Sequence, residues 1–145
     1  MDTKVLREQI LLMSSLFKWT FFAVMAGAVV GTAAAGFLVA LAMAIGYVSS
    51  FSAWRYLLIF PALLLSLYLI RTFAPEAAGH GTEKVIDAIH RRAGMIDLKV
   101  VPVKLIATIV TIAAGGSAGK EGPCAQIGAG LMCGLSKIFR LDESD

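Results

Sequence analysis

Charge is absent from one long stretch near the start of the chain: between Lys18 and Arg55 there are 36 consecutive uncharged residues. As a continuous helix this stretch measures about 54 Å, against a bilayer hydrocarbon core of about 30 Å. One upright span does not hold it all. The pattern predicts a membrane helix over 16–48 that is strongly tilted or that ends in a turn between Gly46 and Ser50. Gly27, Gly31 and Ala35, with Gly36 and Ala40, repeat small residues at every fourth position, which permits close helix contact. Met1 to Ser15 is a short amphipathic opening with Lys4 and Arg7, and Ala33-Ala34-Ala35 mimics a signal-peptide cleavage site. The apolar run continues to Val48, far beyond a signal core, so the helix is expected to be kept.

A second span is predicted over 53–73, with Arg55 and Arg71 extending their charged ends to the two interfaces. Pro61 within it predicts a kink, which membrane helices tolerate, and Pro75 stops the helix. A charged segment, 74–104, follows. There Val85, Ile86 and Ile89 alternate with Lys84, Asp87 and Arg91 at helical spacing, which predicts a short amphipathic helix over 82–93. The last two apolar runs, 102–118 and 122–139, are each short for a crossing and are separated by the glycine-rich stretch Gly115 to Gly122. Short, glycine-interrupted hydrophobic segments mark broken helices that meet near mid-membrane, where transporters place ion sites. Irregular backbone survives at that depth only where it lines a cavity or is buried in protein.

Composition agrees with this class. Of 145 residues, 58% are hydrophobic and 16% charged, which points to an integral membrane protein of one domain or part of one. The net charge of +3 is small and its basic residues are spread out, so it is no nucleic-acid footprint. It sets topology instead. The loop region carries Arg71, Lys84, Arg91, Arg92, Lys99 and Lys104 and the N-terminal flank Lys4, Arg7 and Lys18, whereas the turn between the first two spans holds only Arg55. The positive-inside rule then places the N-terminus and the loop in the cytoplasm. Cys124 and Cys133 are nine residues apart on one predicted helix and face opposite ways, as packing thiols. His80 and His90 are the only histidines, and no nucleophile and base are convincingly spaced, so neither an enzyme, a metal site nor a cofactor is expected.

Gly115-Gly116-Ser117-Ala118-Gly119-Lys120-Glu121-Gly122 leads directly into Pro123, a favoured residue at a helix start. Glycines leave backbone N–H groups uncovered, and a helix N-terminus carries roughly half a positive charge. Together with Lys120 they make an anion site built from backbone. Glu121 stands at its mouth, where its carboxylate competes with a mobile anion until protonated or displaced, as a gate would. A nucleotide-phosphate loop is excluded twice, by Ala114 in place of its first glycine and by Glu121 in place of its metal-binding hydroxyl. Two plainer readings stand beside the anion site: a solvated turn with Lys120 and Glu121 in water, and a small membrane scaffold or partner-binding protein without transport.

Gly119-Lys120-Glu121-Gly122-Pro123, followed by Gln126-Ile127-Gly128, resembles the signature of the CLC chloride channels and proton-coupled chloride antiporters. Ala74-Pro75-Glu76-Ala77-Ala78-Gly79-His80-Gly81 resembles the segment that carries the family's first anion-binding loop, and Pro102-Val103-Lys104 the start of the helix leading to the signature. These motifs cover Arg71 to Phe139; Met1 to Ile70 match only as a hydropathy profile. The resemblance implies an all-α, polytopic membrane fold of tilted and broken helices in two inverted halves, of which this chain is the first part. It implies a homodimer in the plasma or inner membrane, with chloride and protons as the transported ions and lipid as the surroundings. By motif match Glu121 is the gate, and Gly79, His80, Gly81, Gly119, Lys120, Gly122 and Pro123 are the anion-binding positions. His80 takes the place of a serine whose hydroxyl coordinates chloride in much of the family, and Thr82-Glu83 the place of Ile-Pro. The alternative for His80 is a helix cap with no ion contact. Lacking a second half, the chain is expected to be a fragment that conducts nothing alone, which liposome flux from the purified chain checks.

Overall fold

The computed structural model describes residues 3–51 and 53–139. Five helices follow in order: α1 (Thr3–Ser49), α2 (Ile59–Phe73), α3 (Gly81–Arg91), α4 (Val100–Ala113) and α5 (Glu121–Phe139), with no strand among the described residues. Their apolar lengths explain the all-α architecture. α1 is apolar from Leu12 to Ser49, about 57 Å of helix, which crosses a bilayer core of about 30 Å only when steeply inclined. The amphipathic opening and the apolar run are thus one element, closed by a turn in which Ser50 N donates to Tyr47 O at 3.3 Å.

α2 differs from the kinked span the sequence predicts. A 3-10 turn, Ala53–Leu58, precedes it, and Pro61 lies in its first α-helical turn. A proline ring clashes with the carbonyl four residues back, so the chain ahead of it adopts the tighter helix and the irregularity becomes a junction. The Arg55 side chain, expected at an interface, lies outside the described residues, and Arg71 is exposed.

The small-residue stripe of α1 also packs otherwise than expected. A Cβ added at Gly27, Gly31 or Gly36 would meet nothing within 4 Å. Phe37 and Leu41 choose the face instead, because burying large apolar side chains gains more than close backbone approach. They form one core cluster with Ile127 of α5, flanked by Val101, Leu105 and Ile109 of α4. Close approach occurs on α5, where a Cβ at Gly130 would lie 2.7 Å from Val101 and one at Gly134 only 2.2 Å from Leu98. A second cluster, Ala74, Ala77, Ala88, Ile96 and Val100, joins the end of α2 and α3 to the start of α4. The two cysteines are free and turn to different neighbours: Cys124 packs beside the Phe37 cluster, and Cys133 Sγ accepts from Ile96 N at 3.4 Å.

Phe17, Val39 and Met43 of α1 and Phe60, Leu64 and Tyr68 of α2 are exposed. Apolar faces of that extent match hydrocarbon or neighbouring apolar helices and not water. The remaining helices bring two connecting segments, 74–80 and 114–120, to the same place.

Candidate anion site at converging helix starts

The first segment is a short 3-10 turn, Pro75–Ala77, with Ala77 N donating to Ala74 O and Ala78 N to Pro75 O. Gly79 then takes φ +81°, a left-handed conformation that glycine alone adopts without strain, and turns the chain into α3. Three side chains from other elements hold this loop. Lys104 Nζ donates to Ala77 O and to Gly79 O, each at 2.8 Å. Gln126 Nε2 donates to Glu76 O at 3.0 Å, and Arg92 pairs with the Glu76 carboxylate.

The second segment begins where α4 stops. Gly115 has φ +101°, its N–H donates to Ile112 O at 3.0 Å, and Gly116 N donates to Thr111 O at 2.9 Å. This paired closure satisfies the last carbonyls of α4 and ends it at Ala113, five residues short of the 102–118 run read from the sequence. The chain then runs without helix to Glu121. The backbone N–H groups of Gly119, Lys120, Glu121 and Gly122 have no acceptor among the described residues, and the first bond of the new helix runs from Cys124 N to Lys120 O at 3.1 Å. Pro123 has no N–H to satisfy and stands in the first turn of α5, two residues inside its first residue.

The two segments touch through backbone. A Cβ on Gly81 would lie 2.0 Å from Gly122 O, so only hydrogen fits there. His80 sits at the N-cap position of α3 without a capping hydrogen bond, and its ring lies beside Gly122. Between these helix starts and the α2–α4 pair is a cavity of about 360 Å³, within the size range of small-ligand sites. Of the positions read from the sequence, Gly79, His80, Gly81, Gly119, Gly122 and Pro123 line it. Lys120 and Glu121 do not: both are exposed on the outer side of the turn.

The sequence reading missed four polar residues on the opposite wall. Ser66, Lys104, Thr108 and Thr111 all line the cavity. Ser66 Oγ donates to Ala107 O at 3.1 Å and, its proton so used, accepts from Thr111 Oγ1 at 2.8 Å. That pair fastens α2 to α4 and is satisfied within itself. Lys104 corrects the topology count: it is not an exposed flank charge but 7% exposed, and no carboxylate lies within ion-pair distance of it among the described residues. A lone ionisable residue within an apolar helical run was the available signal.

Two helices long and apolar enough to cross a bilayer, beside a cavity that a buried cation lines, define part of a membrane protein. Comparison supplies the family. The profile described as voltage gated chloride channel matches residues 62–145, and the chain belongs to that family. The H(+)/Cl(-) exchange transporters ClcA of Salmonella arizonae and Salmonella paratyphi B are each 35% identical to it over 98 residues, 66% of this chain and 21% of theirs. The chain thus spans about a fifth of the length of the curated relatives it matches. No solved structure matches it.

Proposed function

We propose that this chain forms one wall of a chloride pathway in a proton-coupled transporter or channel, with the anion held between the start of α5 and Lys104. The observation that carries this reading is the burial of Lys104 without an acidic partner, on a cavity whose other wall presents unpaired N–H groups. A buried charge is costly unless it is paired, and a small anion in the cavity is the partner that the surrounding groups suit. The helix start adds its partial positive charge from the other side. A passive scaffold would have no use for such a cation, so transport is preferred over that alternative.

The similar ClcA proteins are H(+)/Cl(-) exchange transporters, which supports proton coupling here. The same reading carries a homodimer with one pathway per subunit, surrounded by lipid, with the N-terminus and the charged loop 74–104 on the cytoplasmic side. No cofactor takes part. Glu121 is the gate. It begins α5, next to Gly122 on the cavity wall, and rotation about its side-chain bonds carries the exposed carboxylate over the amides. Neutralising this carboxylate removes the competitor, so chloride affinity should rise.

The test is calorimetric titration of the detergent-solubilised chain with sodium chloride at neutral pH, ionic strength held with sodium gluconate. Glu121→Gln, which has no carboxylate to compete with the anion, should bind chloride more tightly than the wild type. Equal chloride affinity in both proteins would remove Glu121 from the gate.

A further inference from the structure

Of the hydroxyls on the α2–α4 wall of the cavity, those of Ser66 and Thr111 are paired with each other, and that of Thr108 is not. Its residue is 8% exposed, lines the cavity, and has no hydrogen-bond partner among the described residues. Mid-helix threonines usually return their proton to a carbonyl one turn back, and Ser66 and Thr111 next to it have both found acceptors. A hydroxyl on a cavity wall that has no protein acceptor is completed by whatever occupies the cavity. Thr108 follows Lys104 by four residues, so the two side chains lie one turn apart on the same face of α4.

We propose that Thr108 is a direct ligand of the transported anion, its hydroxyl donating to a chloride that Lys104 attracts and the α5 amides cap. This rests on the reading of the cavity as an anion site and adds a specificity-determining group to it. Lys104 already spends two of its three N–H donors on Ala77 O and Gly79 O, so its contribution is mainly charge. Thr108 supplies a directional donor on that wall. A hydroxyl at this place favours a small anion with high charge density, which draws the O–H close, over a large diffuse one.

The experiment compares the solubilised wild-type chain with Thr108→Val, which keeps the shape and removes the donor, and with Thr108→Ser, which keeps the donor. Chloride titration should show a loss of about tenfold in affinity for the valine variant, the size expected for one hydrogen bond to a charged group, and near wild-type binding for serine. Thermal unfolding without chloride separates ligation from structure. Because the hydroxyl has no partner to lose, the valine variant should unfold at the same temperature or higher while binding more weakly, a combination that a purely structural role does not produce. Thr108→Ala serves the same comparison if the valine variant does not fold. Equal chloride affinity in the wild type and the donor-free variant would overturn Thr108 as a ligand and leave the anion cavity standing. No chloride binding by the wild type, with water alone in the cavity, would overturn both.

Discussion

Lys104→Met is expected to lower chloride affinity about 100-fold. Methionine has similar length and no charge, so the change isolates the electrostatic part of the site. At an effective dielectric of about 20 and a separation of about 6 Å, two unit charges attract by roughly 2.8 kcal/mol, about two powers of ten in binding. Effects on folding oppose one another. Ala77 O and Gly79 O each lose a donor, roughly 1–3 kcal/mol apiece, while the desolvation penalty of the ammonium, several kcal/mol, is relieved. The unfolding temperature should therefore move little, and chloride titration is the decisive measurement. Affinity within twofold of wild type would show that the cation does not face the anion.

Gly81→Ala should be the most damaging single methyl in the chain. The new carbon would lie 2.0 Å from the carbonyl oxygen and 2.5 Å from the carbonyl carbon of Gly122, and both are backbone atoms that no rotamer change can move aside. The start of α3 and the start of α5 must separate by more than 1 Å to restore ordinary contact. Overpacking of this kind costs roughly 3 kcal/mol or more when rigid groups collide. Lower thermal stability and loss of chloride binding are expected together, because the displaced segment forms the cavity wall. Gly36→Ala is the matched control: its methyl would meet nothing within 4 Å, and removing a helical glycine gains up to about 1 kcal/mol. Equal stability of the two variants would contradict the contact between the helix starts.

The parts of this molecule that were legible in the sequence depend on local rules. Glycines before a proline announce free amides and a new helix, and the structure places Gly119 and Gly122 on the cavity with that backbone unpaired. Long uncharged runs announce membrane helices. What escaped depends on partners distant in the chain. Lys104 looked like the last member of a basic flank, because its burial is decided by carbonyls at Ala77 and Gly79, 27 and 25 residues away. Ser66 and Thr111 form a pair across 45 positions, which no local pattern reveals. The glycines of α1 permit close packing but do not select a face; Phe37 and Leu41 do, once Ile127 arrives from α5. Glu121 shows the limit from the other side, since its identity suggests a gate while its side-chain direction is set by the shape of the turn around it.

The donors at the head of α5 belong to peptide groups, so they are the same whatever side chain each residue bears. Ser117→Ala should leave chloride affinity unchanged to within about twofold in titration, because Ser117 does not line the cavity and the change neither alters the number of amides nor needs a special φ. Sequence drift in this turn is thereby decoupled from ion recognition. The vulnerable positions are those that steer the main chain, Gly79 and Gly115, where any other residue would redirect the peptide planes without touching an ion.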